Sequence, residues 1–262
     1  MTHEFPAPST THRIAVPRRG GPEVLQFQAC GLPEPGPTDV RVRIVAAGVS
    51  AYDVMLRGHR FPGFPPVPYT PGEDFVGIVE AVGNGVSGLE PGQRVGAWTF
   101  GDAGGYSEHI TRPAAQLVPL PEGLDPALAS AVIVNGLTAH IALHLTVGVK
   151  PRERLLIQGA GGGLGSALLQ LARHAGVETY GCDAVSKHAQ IEADGAVPLD
   201  YRDRNAISTL RQMTSGGVDA VIDVVGGPAQ LIRSYRALRP GGRLLMLGMA
   251  GTTRHGMRII LP

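Results

Sequence analysis

The run Leu155-Leu-Ile-Gln-Gly-Ala-Gly-Gly-Gly-Leu-Gly-Ser166 constrains this chain more than any other stretch. Leu155 to Ile157 read as a buried strand, and the glycine cluster from Gly159 to Gly165 reads as a turn. Leu164, Leu168 and Leu171 then fall on one face of a helix that opens out of that turn. Such a strand, turn and helix let backbone N–H groups approach a pyrophosphate, with the positive end of the helix facing the negative charge. Glycine spacing alone is weak; a strand before it, a helix after it and more strands downstream give it weight. A glycine-rich βα turn that binds nothing fits the same residues.

The residues downstream keep the rhythm. Strands are expected at Arg154–Gln158, Glu178–Cys182, Val197–Asp200, Asp219–Val225 and Arg243–Gly248. Helices are expected at Gly165–Ala175, Asn205–Met213 and Pro228–Leu238. This alternation implies right-handed βαβ units and a doubly wound parallel sheet. Upstream the chain changes character: 17 of the 22 prolines lie at or before Pro126. Proline disfavours helix interiors and central strands, so this half should hold loops and short strands. Val40–Val45 alternates with period two, Phe75–Val82 is β-rich, and Gly83–Gly88 and Pro91-Gly92 are turn chemistry. A small barrel or partly open β domain follows. Asp125-Pro126 reads as the N-cap and first residue of an alanine-rich helix, dividing the chain into 1–126 and 127–262.

Composition removes several functions. A net charge of +1 over 262 residues argues against nucleic-acid or membrane partners recognised by bulk charge. Two cysteines, Cys30 and Cys182, supply neither a disulfide framework nor a Cys₄ zinc site. The opening MTHEFPAPSTTHR lacks the layout of a signal peptide, and no uninterrupted apolar run nears 18 residues; a cytoplasmic protein with no membrane partner is expected. Lys150 and Lys187 are the only lysines among 23 basic residues.

One of them bears on the cofactor. NAD sites place an acid about 20 residues past the turn, on the ribose hydroxyls, whereas NADP sites place a basic group there. Cys182-Asp-Ala-Val-Ser-Lys-His188 offers both. Asp183, 18 residues past Gly165, suits NADH. Ser186, Lys187 and His188 suit the 2′-phosphate of NADPH, the cofactor expected here, with lysine as its point charge. A solvated lysine at a helix start is the competing role for Lys187.

With these residues in hand, the chain resembles the medium-chain dehydrogenase/reductase superfamily, in its zinc-independent quinone oxidoreductase (zeta-crystallin-like) branch. The resemblance is carried by Gly20-Gly-Pro-Glu-Val-Leu25, Ala46-Ala-Gly-Val-Ser-Ala-Tyr-Asp53, Gly72-Glu-Asp-Phe-Val-Gly77 and Gly136-Leu-Thr-Ala139. The glycine turn, Gly195-Ala-Val-Pro-Leu-Asp-Tyr-Arg202 and Leu238-Arg-Pro-Gly-Gly-Arg243 continue it. It implies a GroES-like β-barrel domain followed by a Rossmann domain, with the active site in the cleft between them. Ser50 matches a position beside the nicotinamide, as does Thr138, while Gly162, Gly163 and Leu164 match the pyrophosphate turn. Lys187 and Tyr201 match residues near the 2′-phosphate; Val225 and Gly248 match loops along the nicotinamide half. Packing or local backbone bonding would equally account for Thr138, Tyr201, Val225 and Gly248.

Zinc-dependent members carry cysteine where this chain has Ser50 and histidine where it has Glu73, and the four-cysteine lobe is missing. No zinc is therefore expected. His140 and His144, spaced i,i+4, are the remaining metal-like pair, without a third ligand in sequence. The activity implied is metal-free hydride transfer from NADPH to a quinone or an α,β-unsaturated carbonyl, with a small-molecule substrate. Tyr52 is the candidate proton donor, with packing as its competing role. An enoyl-thioester reductase, or a nucleotide-binding protein with little turnover, are the alternatives. Relatives run to roughly 320–340 residues, compatible with two domains. This chain stops at Arg258-Ile-Ile-Leu-Pro262, which suggests a C-terminally truncated Rossmann domain lacking its sixth strand. Full-length relatives are homodimers; a chain so shortened is not expected to keep that contact.

Overall fold

The structure, a computed structural model, describes residues 10–58, 65–99 and 101–248. The first nine residues of the opening stretch, and the run Arg258–Pro262, lie outside them. The chain divides into two compact units between Val134 and Asn135.

In the first unit, β1 (Thr10–Ala15) and β2 (Gln26–Gly31) form an antiparallel hairpin. A second sheet is built from β3 (Asp39–Ala46), β4 (Asp74–Val82), β5 (Arg94–Trp98), β6 (His109–Pro113) and β7 (Val118–Pro119). Its order is β6-β3-β4-β5-β7, antiparallel throughout. The period-two pattern read at Val40–Val45 does what it should: Val40 and Val42 are fully buried, against Phe75, Val79 and Val95. The helix α1 (Ala51–Arg57) lies in the connection from β3 to β4.

The second unit carries β8 (Arg154–Gln158), α3 (Gly163–His174), β9 (Glu178–Asp183), α4 (His188–Ala193) and β10 (Val197–Asp200). It continues through α5 (Ala206–Met213), β11 (Val218–Asp223), α6 (Pro228–Ala237) and β12 (Leu238–Met246). The five strands are parallel, in the order β10-β9-β8-β11-β12. That is the 3-2-1-4-5 arrangement of a dinucleotide-binding fold. Both faces of the sheet are covered, and the strands show why. Leu155 and Ile157 join one core with Leu168 and Ile222, while Leu156 joins another with Tyr180 and Val221. The last strand begins at Leu238 rather than Arg243, because Leu238 already pairs with Val218 before a register shift. The helix after the turn begins at Gly163, two residues before the expected Gly165.

The boundary of the units falls within α2 (Pro126–His140), which continues as a π-helical segment, Ile141–Val147. Asp125 caps it as read, accepting from Leu128 N at 2.8 Å. Pro126–Val147 is 22 residues long and contains an 18-residue window of mean hydropathy 1.6, long and apolar enough to cross a membrane by length and composition. Isolated polar residues such as Asn135 and Thr138 hid this from a count of uninterrupted apolar runs. Its C-terminal part is core helix: Ala139, Ala142 and Leu143 are buried in the second unit.

Candidate functional site

The glycine turn is held from below. Gly159 and Ala160 both donate to Cys182 O on β9, at 2.9 and 3.3 Å. Gly159 takes φ +78°, the left-handed region that glycine tolerates, and a Cβ there would fall 2.7 Å from Val224 Cγ2. At Gly165 a Cβ would fall 2.3 Å from Gly159 O and 2.5 Å from Ala160 O, so the helix packs directly on the turn backbone. Gly162, the N-cap of α3, offers no side-chain cap. Gly162 and Gly163 are exposed, and a Cβ on Gly162 would meet only Gly159 O, at 3.5 Å. The result is an uncapped helix N-terminus in open space, which fits the pyrophosphate of a dinucleotide.

The second strand ends against the same turn. Asp183 accepts from Gly161 N through Oδ2 at 2.8 Å and from Ala184 N through Oδ1 at 2.7 Å. The acid that suited NADH is thus also a strut for the turn, although a carboxylate keeps further lone pairs. Lys187 is exposed, and its stem lies on Gly161: a Cβ there would fall 2.6 Å from Lys187 Cβ and 2.7 Å from Cγ. Ser186 is exposed on the same short turn. Tyr201 reaches this corner by donating its N–H to Asp183 O at 3.1 Å. Arg233 fixes Tyr201 O at 2.6 Å, and Arg202 stacks over the Tyr201 ring at 5.3 Å.

The loops after β11 and β12 meet each other and the turn. A Cβ on Gly248 would fall 2.1 Å from Val224 C and 2.3 Å from Val225 N. Val225 Cγ2 lies 3.0 Å from a Cβ placed on Gly159. Asp223 organises this junction. Fully buried, it accepts from Val225 N and Gly226 N at 2.9 Å each and from Ser234 Oγ at 2.9 Å. Leu247 N and Gly248 N donate to its carbonyl. Gly162, Gly163, Leu164, Ser186, Lys187, Tyr201, Val225 and Gly248 therefore all ring the carboxyl end of one sheet. Thr138 stands apart on α2, half-buried, one turn beyond Asn135. Asn135 itself lies against the turn, its Nδ2 2.9 Å from a Cβ placed on Gly163.

Ser50 and Tyr52 belong to the first unit. Ser50 is the N-cap of α1 in a capping box with Asp53: Asp53 N donates to Ser50 Oγ at 3.3 Å, and Ser50 N and Oγ donate to Asp53 Oδ2 at 2.9 and 2.7 Å. Asp53 Oδ1 then accepts from Gly72 N at 3.1 Å, and Asp74 Oδ1 from Gly48 N at 2.7 Å. These bonds gather Ser50, Tyr52, Asp53, Glu73 and Asp74 in one place. Burial, and then the charges of Glu73 and Asp53, push the Tyr52 phenol above its ordinary value. His140 and His144 neighbour each other along the helix, ring centroids 4.9 Å apart with the planes tilted by 52°. Among the described residues no group of three or more His, Cys, Asp or Glu converges to hold a metal.

Asp223, Asn135 and Glu73 were missed as site-forming residues. An acid closing a buried strand directly before Val-Val-Gly-Gly was a readable signal for Asp223, since the turn that follows presents the successive N–H groups of Val225 and Gly226 to one carboxylate.

Residues 36–122 match the family "Alcohol dehydrogenase GroES-like domain", and residues 163–261 match "Zinc-binding dehydrogenase". The pig (Sus scrofa) quinone oxidoreductase is 33% identical over 243 residues, 91% of this chain and 73% of that protein. The chain belongs to the medium-chain dehydrogenase/reductase family. Its branch is the quinone oxidoreductase-like one. The rat (Rattus norvegicus) synaptic vesicle membrane protein VAT-1 homolog is 35% identical over 228 residues, 86% of this chain. This chain spans only 56% of that protein's length. Among solved structures, the quinone oxidoreductase of Pseudomonas syringae pv. tomato DC3000 superposes with TM-score 0.85 at 33% identity, covering 91% of this chain and 73% of that one. A mycobacterial protein complexed with NADPH does so with TM-score 0.82 at 31% identity, covering 92% and 75%. The CurK enoyl reductase does so with TM-score 0.86 at 26% identity, covering 93% and 75%.

Proposed function

We propose that this chain is an NADPH-dependent oxidoreductase that transfers hydride to a quinone or an α,β-unsaturated carbonyl without a metal. The observation that carries it is the uncapped α3 N-terminus with Gly162 and Gly163 exposed, bordered by the Lys187 stem on Gly161. The NADPH-bound neighbour supports the same cofactor. When bound, the cofactor supplies the hydride. Gly162, Gly163 and Leu164 hold its pyrophosphate through backbone N–H groups, and Lys187, Ser186 and Tyr201 hold the 2′-phosphate. Val225 and Gly248 flank the nicotinamide half, as does Thr138. In the first unit, Ser50 orders the start of α1 through its capping box, and Tyr52, two residues on, is the candidate proton donor. Zinc has no place in this scheme, since the Ser50 hydroxyl is committed to Asp53.

Anaerobic NADPH oxidation with 1,4-benzoquinone tests the activity, with trans-2-enoyl thioesters as the second acceptor. Faster turnover of the thioester redirects the substrate to a carrier-bound enoyl group. Cofactor binding by fluorescence with no oxidation on either acceptor rejects the enzyme. Lys187→Ala should weaken NADPH binding about tenfold, the loss of roughly one charge-assisted contact, and leave NADH binding as it was. An unchanged ratio of the two dissociation constants would remove Lys187 from the 2′-phosphate site.

A further inference from the structure

The phosphate that distinguishes NADPH from NADH carries a charge of about −1.5 to −2 at neutral pH, and Lys187 answers it with a single positive charge. The same corner holds three acids. Asp183 closes β9, Asp200 closes β10 beside it, and Asp203 follows in the next loop. Their carboxylates accept from the backbone N–H groups of Gly161, Ala184, Arg202 and Asn205. His188 brings no donor to the open side through Nε2, which is buried. With Lys187 alone the corner would be net negative and would repel a phosphate.

Two arginines are built into this corner, with different tasks. Arg233, half-buried on α6, donates to Tyr201 O at 2.6 Å and to Asp203 O at 3.5 Å, so its guanidinium is spent on the backbone of the loop after β10. Arg202 is exposed and lies along the Tyr201 side chain. Its Nε donates to Tyr201 Oη at 3.0 Å. Among the described residues its Nη1 and Nη2 donate to nothing. Because the phenol oxygen serves as the acceptor, the Tyr201 O–H is left as a donor. Both residues are anchored by their main chain: Tyr201 N donates to Asp183 O at 3.1 Å and Arg202 N to Asp200 Oδ1 at 2.9 Å. A hydroxyl and a guanidinium held side by side suit the oxygens of one phosphate.

We propose that Arg202 is a specificity-determining residue for NADPH, supplying with Tyr201 the second cationic arm of the 2′-phosphate site alongside Lys187. This rests on the NADPH-dependent function proposed above. In NADH the 2′ position is a neutral hydroxyl, which gains little from a cation, so Arg202 favours the phosphorylated cofactor selectively. The Nε bond to the phenol keeps the guanidinium beside the Tyr201 O–H, so that less side-chain freedom is lost when the phosphate arrives. Arg233 is a positioning residue, acting through the Tyr201 carbonyl.

Calorimetric titration of the full chain with 2′,5′-ADP and with 5′-AMP tests this, because the two nucleotides differ only in the 2′-phosphate. The wild type should prefer 2′,5′-ADP about a hundredfold, roughly tenfold from each of the two cations. Arg202→Gln should cut that preference about tenfold and leave 5′-AMP binding as it was. Arg202→Lys keeps the charge but loses the Nε bond to the phenol, and should fall between. Combining Arg202→Gln with Tyr201→Phe should cost less than the product of the two single losses, since the residues act as a pair. Arg204→Gln removes a charge from the same exposed loop and should keep the wild-type preference. A wild-type preference in Arg202→Gln, or an equal loss in Arg204→Gln, overturns the assignment of Arg202 while the preference of the wild type upholds NADPH. A wild type that binds the two nucleotides equally overturns NADPH as the cofactor, and the assignment with it.

Discussion

Asp223→Ala is expected to lower the melting temperature by about 6–12 °C and to weaken cofactor binding at the same time. The Asp223 carboxylate is fully buried and satisfies Val225 N, Gly226 N and Ser234 Oγ. Alanine leaves these donors without an acceptor. Their loss is on the order of 3 kcal/mol, at about 1 kcal/mol for each donor. For a protein of this size, each kcal/mol moves the midpoint by roughly 2–4 °C. The loop they organise carries Val225 and supports Gly248, so its loosening should be read in the affinity too. Asp223→Asn separates hydrogen bonding from charge. Both backbone donors share Oδ1, which the amide keeps as its oxygen, and the amide nitrogen can donate to Ser234 Oγ where Oδ2 had accepted. Asparagine should therefore stay within about 1 kcal/mol of the wild type. Thermal melts and cofactor titrations of both variants check this; equal losses for alanine and asparagine would make the charge, not the hydrogen bonds, the cause.

Asp223 also marks where sequence reading stopped. Sequence pattern located all five parallel strands; in β8 and β11 the fully buried runs Leu155–Ile157 and Ala220–Ile222 are unbroken and apolar and need no partner to be recognised. It located the turn because glycine is the residue that tolerates both a left-handed Gly159 and the contact of Gly165 with two carbonyls. It erred at element ends. At Leu238-Arg-Pro-Gly-Gly-Arg243 the proline and glycines suggested a loop, yet the strand starts at Leu238. Pairing with Val218 and a hydrogen bond from Arg211 to Leu238 O decide it, and both are tertiary.

The site was legible in its backbone part and much less so in its side chains. Glycines that open a helix N-terminus leave a mark in the sequence. The capping box of Ser50 and Asp53 is equally local, three residues apart, but it was not among the sequence readings. Glu73 was visible only as a departure from a zinc-ligand position. What surrounds it is tertiary: an oxygen buried without a partner among the described residues, and, besides the adjacent Asp74, two acids, Asp53 and Asp102, brought in from separate segments. Asn135, 28 residues before Gly163, was invisible for the same reason.

Gly165→Ala and Gly162→Ala should split stability from binding at the turn. In most helices alanine is better than glycine by up to about 1 kcal/mol, so Gly165→Ala in α3 would ordinarily stabilise. Here the added methyl would sit 2.3 Å from Gly159 O and 2.5 Å from Ala160 O. Neither carbonyl can yield, because the N–H groups of Gly159 and Ala160 are both anchored on Cys182 O of the neighbouring strand. The helix must move away instead. An overpacked backbone contact of this kind costs about 1–3 kcal/mol, and the change should lower the melting temperature by several degrees. The displaced N-terminus should also weaken cofactor binding more than tenfold, since the N–H groups no longer converge on one anion. Gly162→Ala should do the opposite. Its φ is −88°, and its Cβ would make one ordinary contact at 3.5 Å, so the melting temperature should hold. That methyl projects into the open space above the helix end, where the pyrophosphate would lie, so affinity should fall about tenfold. Differential scanning calorimetry and a fluorescence titration give the two readings for each variant. A stable Gly165→Ala would show that the helix is not packed tightly on the turn, and a Gly162→Ala that binds as the wild type does would show that the turn is not a phosphate cradle.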